Sequence, residues 1–130
     1  MDAGDSETTS GRCRTLEAML PLLTGTRPEA VADLADPTAF AGRFGPRGVH
    51  PDEPAYEPAR YWRGGVWPPL AYLLWVATSS RGEAELAASL ASSTRAGAEA
   101  SGLAEYWDPD TGTAGGSAPQ SWSGVVLLMS

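Results

Sequence analysis

Apolar residues recur at helical spacing in the first part of the chain. The set is Leu16, Met19, Leu20 and Leu23. This spacing predicts a helix from residue 15 onward, with Pro21 as a kink or an end. A second, short helix is expected over Pro28–Ala35, because a proline in the first helical turn gives up no hydrogen bond. Residues 1–14 are polar and without periodicity, and we expect them to be disordered or poorly packed.

Two further helices are predicted in the second half, and their patterns differ. Residues 68–78 are apolar on nearly all sides, which is typical of a helix buried all round. Residues 83–100 are amphipathic, with Leu86 and Leu90 on the apolar face. A last apolar helix is expected from Ser121, which would be its N-cap. A buried helix followed by a surface helix is the alternation of a double-layered helical toroid.

Long irregular segments separate these helices. Residues 41–67 and 103–120 are rich in proline and glycine, yet they contain many aromatic residues. Disordered segments are poor in aromatics, so we expect ordered loops that form a site. No β alternation of any length is visible, and the predicted class is all-α with long site-forming loops.

Composition excludes several kinds of partner and chemistry. A net charge of -7 and a pI near 4.5 make a nucleic acid an unfavourable partner. The single Cys13 cannot form an internal disulfide, and one histidine, His50, with one cysteine cannot build a nitrogen or sulfur metal site. The most apolar stretch is too short to span a bilayer. We therefore expect a cytoplasmic protein without a cofactor, a metal or a membrane.

Aromatic residues gather in or beside the two loops, around one carboxylate. They are Tyr61, Trp62, Trp67, Tyr106, Trp107 and Trp122. Flat aromatic faces bind the C–H faces of sugars, although the same rings could simply cover the core beneath the loops. Glu105 precedes two of them, and aromatic walls can desolvate a carboxylate for acid–base work; a solvated loop glutamate is the alternative. Residues 108–112 resemble a calcium loop but are too few, which favours a tight turn.

Two extended motifs carry a family resemblance. The first runs from FGPRGV at 44–49 through DEPAY at 52–56 to YWRGGVWP at 61–68, and the second joins EYWDPDTG at 105–112 to QSWS at 120–123. In order and spacing they resemble the later part of the family 63 glycoside hydrolases, within the bacterial mannosylglycerate and glucosylglycerate hydrolase group. The similarity extends over nearly the whole chain from Leu16 onward.

The resemblance implies an (α/α)6 toroid and inverting hydrolysis of an α-glycosidic bond in a small glycoside or oligosaccharide. By the match, Glu105 is the general base, while Tyr61, Trp62, Trp67 and Gln120 hold the substrate and Arg63 is a weaker candidate. The family's general acid is an aspartate in a region that precedes the matched one. We therefore expect residues 15–130 to be the C-terminal portion of the catalytic domain, inactive alone, which self-associates or binds a complementary N-terminal fragment.

Two other functions stay open at this point. The first is a trehalase-like or debranching glycosidase of the same fold, which would differ in what the region of Tyr61 and Gln120 recognises. The second is a non-catalytic helical module for sugar binding or interaction that keeps the aromatic surface. Weak sugar binding that is unchanged by Glu105→Gln would favour the module.

Overall fold

The computed structural model of the chain describes residues 13–23, 28–60 and 62–130. Most of the segment expected to be poorly packed, residues 1–12, lies outside the described residues, and so does Tyr61. Arg14, at the end of that segment, forms an ion pair with Glu53 and accepts a hydrogen bond from the His50 N–H through its carbonyl. The described structure is therefore anchored from its first residues.

Helices account for most of the described structure. They are a 3-10 helix at Leu16–Leu23, α1 at Pro28–Ala35, α2 at Pro68–Ser80, α3 at Ala84–Ser101 and a second 3-10 helix at Ser121–Leu128. The predicted bounds of α1 are confirmed, and those of α2 and α3 differ by one or two residues. The first and last helices are 3-10 helices rather than α-helices. The sequence could not predict this difference, because apolar residues three or four positions apart are compatible with both forms.

Short strands are the part of the fold that the all-α prediction missed. β1 (Ala41–Gly42) pairs with β2 (Gly45–Pro46), and β3 (Tyr106–Trp107) pairs with β4 (Ala114–Gly115), both antiparallel. Each strand has only two residues, so no alternation of apolar and polar positions could develop. These hairpins shape the described parts of the two long loops.

The core has two apolar clusters, and α3 contributes buried residues to both. The first gathers Leu16, Met19, Leu34, Phe40, Leu74, Leu86 and Leu90 with three alanines. The second gathers Val66, Ala91, Ala98, Trp107, Val126 and Met129. The first 3-10 helix packs on α2, α1 contacts α3, and the second 3-10 helix packs on both α2 and α3.

Burial of the apolar helices is less complete than their sequences predict. On α2, Leu74 is fully buried but Leu73 is 41% exposed, and on the last 3-10 helix Leu127 and Leu128 are 60% and 65% exposed. The amphipathic pattern of α3 is confirmed, with Leu86 and Leu90 buried. Two helices therefore present an apolar side that the described part of the chain leaves open.

The helices were also compared with the length and apolar character that a membrane span requires. Among the described residues, no helix has both the length and the apolar character needed to cross a bilayer.

Candidate active site

Backbone pairing between the two loops brings their aromatic rings together. The Val66 N–H donates to the Trp107 carbonyl at 2.8 Å, and the Trp107 N–H donates back to the Val66 carbonyl at 3.3 Å. This isolated antiparallel bridge joins the end of the first loop to β3. Because neighbours of bridged residues lie side by side, Trp67 and Tyr106 meet on the same face of the bridge.

The rings form a continuous stack. Trp62 lies on Trp67 with ring centroids 3.8 Å apart and planes at 12°, and Trp67 lies on Tyr106 at 4.8 Å and 17°. Trp122 meets Trp67 edge to face, at 5.7 Å and 76°. Aromatic contacts of this kind add stability beyond the area that they bury. Four rings from three segments thus build one aromatic wall.

Exposure divides the aromatic wall into a supporting layer and an accessible layer. Trp67 and Tyr106 are buried, and both faces of the Trp67 ring are covered by its neighbours. Trp62 is 56% exposed and Trp122 is 39% exposed. Trp107 is fully buried in the second core cluster, so this ring belongs to the core and does not offer a face to a ligand. A ligand can therefore stack on Trp62 and Trp122, while Trp67 supports them.

A cavity of about 210 Å³ opens beside the aromatic wall. It is lined by Trp62, Trp67 and Trp122, together with Pro69, Leu70, Leu73 and Glu17. A second cavity of about 370 Å³ shares Pro69, Leu73 and Trp122 with it. The space between the first 3-10 helix, the start of α2 and the last helix is therefore mainly apolar, and Glu17 brings a carboxylate to its edge.

Glu105 is held at the open end of the β3–β4 hairpin. Its backbone N–H donates to the Ser117 carbonyl at 2.7 Å, and its side-chain Oε1 accepts from the Ser117 N–H at 3.2 Å. A Cβ at Gly116 would collide with the Glu105 side chain, so the hairpin passes close over the carboxylate. The Trp122 indole Nε1–H donates to the Glu105 carbonyl at 3.1 Å and ties this residue to the aromatic wall.

Gln120, which directly precedes the last helix, also bonds to Ser117. Its Nε2–H donates to Ser117 Oγ at 3.2 Å, and its Oε1 accepts from the Ser121 N–H at 3.0 Å. The N-cap of the last helix is therefore Gln120, and the assignment of Ser121 as the cap was wrong. Glu105 and Gln120 both bond to Ser117, which makes this serine the junction of the site.

Two groups of predicted site residues are thus brought together, and Trp122 connects them. Trp62 and Trp67 stack in the aromatic wall, whereas Glu105 and Gln120 meet at Ser117. Tyr61 lies outside the described residues. Arg63 donates from Nε to the Ala55 carbonyl at 2.9 Å and pairs with Glu57. These contacts give Arg63 a structural role within its loop.

Sequence reasoning did not single out Ser117, Glu17 or Leu73. Ser117 takes part through its backbone N–H and carbonyl and through its Oγ, and a single serine in a polar loop gives no signal of such a role. Trp122 was grouped with the other aromatic residues but was not predicted to bind substrate. Its position next to Gln120 in the QSWS motif was the available signal for such a role.

The candidate calcium loop is a turn, as predicted. Asp108 Oδ1 accepts from the N–H groups of Asp110 at 2.8 Å and Thr111 at 3.1 Å, and Gly112 closes the turn at a φ of +75°. Across the described residues, no group of three or more metal-ligating side chains occurs. His50 Nδ1 accepts from the Asp52 N–H at 3.1 Å, so this imidazole helps to hold its own loop.

A family of known proteins matches this chain over most of its length. The model of the mannosylglycerate hydrolase MGH1-like glycoside hydrolase domain matches residues 2–123. Mannosylglycerate hydrolase from Thermus thermophilus is 35% identical over 119 residues, which are 88% of this chain and 29% of the relative. Glucosylglycerate hydrolase from Mycolicibacterium hassiacum is 40% identical over 73 residues, 56% of this chain and 16% of the relative.

Solved structures show the same likeness. The family 63 (GH63) mannosylglycerate hydrolase from Thermus thermophilus in complex with glucose superimposes with a TM-score of 0.79 at 34% identity. The match covers 91% of this chain and 31% of that one. The same enzyme in complex with Tris and D-glycerate gives a TM-score of 0.78. The chain thus spans about a third of the length of its Thermus relatives, and by the match over residues 2–123 it belongs to the mannosylglycerate hydrolase MGH1-like glycoside hydrolase domain family.

Proposed function

We propose that this chain supplies the general-base half of the active site of an inverting glycoside hydrolase, with Glu105 as the base. The observation that carries the proposal is the junction at Ser117. There the Glu105 carboxylate and the Gln120 amide meet, and Trp122 ties Glu105 to the aromatic wall. A carboxylate beside stacked rings and an amide is an arrangement suited to a sugar ring and an attacking water.

In an inverting mechanism the base takes a proton from a water molecule on the face of the sugar opposite the leaving group. This role requires a carboxylate with a fixed direction. The hydrogen bond from the Ser117 N–H and the close approach of Gly116 restrain the Glu105 side chain. A general acid must protonate the leaving oxygen, and by the family resemblance that acid is an aspartate of the segment preceding the matched region.

Substrate recognition would use the accessible layer of the aromatic wall. Trp62 and Trp122 offer exposed rings for a sugar face, with Trp67 supporting them from below. Gln120 would take a hydroxyl group, and Tyr61 would join it by the resemblance. Because the Thermus enzyme is described in complexes with glucose and with D-glycerate, the proposed substrate is a small glycoside such as mannosylglycerate or glucosylglycerate.

The fold proposed around this site is an (α/α)6 toroid, of which residues 15–130 form the C-terminal portion. The largely apolar α2 and the amphipathic α3 fit neighbouring inner and outer helices. A complementary segment of the same family domain would supply the remaining helices and the general acid. The exposed apolar sides of α2 and the last 3-10 helix would then face that segment.

A chimeric enzyme tests the proposal. This chain would replace the matching segment of the Thermus thermophilus mannosylglycerate hydrolase, and turnover of mannosylglycerate and glucosylglycerate would be measured. We expect turnover by the chimera and none by the 130-residue chain alone. Glu105→Gln should lower kcat of the chimera by about 10²- to 10⁴-fold, the usual contribution of a general base.

The matched control is Glu85→Gln, which alters an exposed glutamate at the start of α3 and should leave turnover unchanged. A chimera that folds and keeps its turnover after Glu105→Gln would contradict the assignment of the base. Turnover by the isolated chain would show that the acid lies within it, and Asp108 or Asp110 would then be the residue to test.

A further inference from the structure

Arg47 connects the first loop to the tip of the β3–β4 hairpin. Its Nη1 donates to the carbonyls of Pro37 at 2.7 Å and Ala39 at 3.0 Å, and its Nη2 pairs with Asp110 Oδ1 at 2.7 Å. The Arg47 side chain is only 12% exposed, so these bonds are partly shielded from water. Planar guanidinium groups suit several fixed acceptors at once, which a lysine cannot satisfy in the same way.

Asp110 receives a second donor from another segment. The Tyr56 hydroxyl donates to Asp110 Oδ2 at 3.2 Å. Burial, and then the charge of Asp110, raise the pKa of Tyr56 to about 12, so the phenol keeps its proton and remains a donor across the physiological range. The Asp110 carboxylate therefore joins the Arg47 and Tyr56 segments to the hairpin tip.

Backbone contacts bind the same parts together. The Phe44 N–H donates to the Pro109 carbonyl at 2.8 Å, and the Trp107 indole donates to the Phe44 carbonyl at 2.6 Å. A Cβ on Gly42 would overlap Pro109, so the end of β1 fits closely on the hairpin tip. The tip is thus held from several directions, with the Arg47–Asp110 pair as its charged contact.

The other end of this hairpin holds Glu105 at Ser117. We propose that Arg47 and Asp110 are positioning residues, which fix the hairpin and through it the direction of the Glu105 carboxylate. The consequence for hydrolysis rests on the proposed function of Glu105, whereas the geometric effect does not. A displacement of about 1 Å at a reacting group can cost on the order of 10²-fold in rate, so a remote clamp of this kind matters for chemistry.

Hydrogen exchange at single residues tests the geometric effect on the 130-residue chain. Asp110→Ala should raise the exchange rate of the Ser117 amide by about tenfold, because the hydrogen bond to Glu105 is then made less of the time. Amides in the middle of α3 should keep their rates. Asp110→Asn, which retains an oxygen acceptor and nearly the same shape, should restore most of the protection. Glu105→Ala calibrates the rate of a Ser117 amide that has lost its acceptor.

The outcomes separate positioning from general stability. An equal rise at Ser117 and throughout α3 would mean that Asp110 only stabilises the fold, and an unchanged Ser117 rate in Asp110→Ala would overturn the clamp. If the alanine variant does not fold, the same comparison is made with Arg47→Lys, which weakens the same pair from its other partner. Glu85→Ala removes an exposed charge of the same sign and should change neither rate.

Catalysis is then measured in the chimera. Arg47→Lys should lower kcat by about tenfold, because it misdirects the base, and should change KM by less than about twofold. An equal loss after Glu85→Ala would contradict the positioning role. An inactive parent chimera would count against the proposed function alone, since the exchange at Ser117 is measured without substrate.

Discussion

At the scale of single residues, Gly97 shows how closely α3 approaches the loops. A Cβ at this position would collide with the Trp107 indole Nε1 and with the Phe44 carbonyl. These are the two groups of the 2.6 Å hydrogen bond that links the second loop to the first. A glycine is therefore needed for close contact, because α3 must let the indole lie against its backbone.

We predict that Gly97→Ala lowers the free energy of unfolding by about 1–3 kcal/mol, although alanine is the better helix former. The overlap must displace either the Trp107 ring or the backbone of Phe44, and both are firmly packed. Urea unfolding followed by circular dichroism would measure the change. Gly124→Ala is the matched control, because nothing lies within 4 Å of a Cβ placed there. Equal stability of the two variants would contradict this interpretation.

Residue-level predictions from sequence were most accurate where the residue types themselves determine the local backbone conformation. The turn at 108–112 followed from residue type. The aromatic residues could not be sorted in advance, since Trp62 and Trp107 belong to similar loop motifs yet differ from 56% exposed to fully buried. Their burial depends on contacts with α3 and the other loop, which the local sequence pattern does not contain.

At the scale of elements, helix ends were predictable because prolines and glycines mark them. Pro68 begins α2, and Gly102 follows α3 in the left-handed conformation with a φ of +70°. The hairpins were not predictable, because strands of two residues are too short to show an alternation of apolar and polar positions. The 3-10 form of the first and last helices was not predictable either, because an apolar residue at every third position also fits one turn of an α-helix. The approach of Glu105 to Gln120 depends on such a hairpin, although both residues were identified from their motifs.

Attachment of the first 3-10 helix depends on a strap formed by residues 14–16 against residues 48–53. Backbone bonds join Leu16 to Gly48 and His50 to Arg14, and the Arg14–Glu53 ion pair closes the strap. The hydrogen bond from Arg14 holds the pKa of Glu53 below its ordinary value of 4.5. A lowered pKa means that the pair stabilises the strap above this value and is lost as pH falls further.

We therefore predict that acidification from about pH 6 to below about pH 4 loosens the strap before the core unfolds. Amide exchange at Leu16 and His50, corrected for the intrinsic pH dependence, should rise relative to α2. Glu53→Gln should show the raised relative exchange already at the higher pH and little further change on acidification. Glu85→Gln provides a control with the same change of charge. A strap whose protection near neutral pH is the same in Glu53→Gln and the parent would show that the ion pair does not hold it.

At the scale of the whole molecule, the two core clusters and the open apolar sides have different consequences. The clusters bury most large apolar residues of the described chain, so these elements have a core of their own. Trp62, Leu73 and Trp122, however, lie beside one continuous apolar recess, and Leu127 and Leu128 add exposed surface on the last helix. An apolar surface of this extent usually marks an interface or an aggregation hazard.

We predict that the 130-residue chain self-associates at micromolar concentration and binds a hydrophobic dye, because association removes these side chains from water at about 25 cal/mol per Å² of apolar area. The net charge of -7 opposes association only weakly in physiological salt, where charges are screened beyond about 8 Å. Sedimentation equilibrium and dye fluorescence measure the two effects. Leu73→Gln combined with Leu127→Gln and Leu128→Gln should shift the chain toward monomer and reduce dye binding, whereas Ala88→Gln on the exposed side of α3 should not. A parent chain that is a compact monomer with cooperative melting and no dye binding would show that these residues need no covering partner.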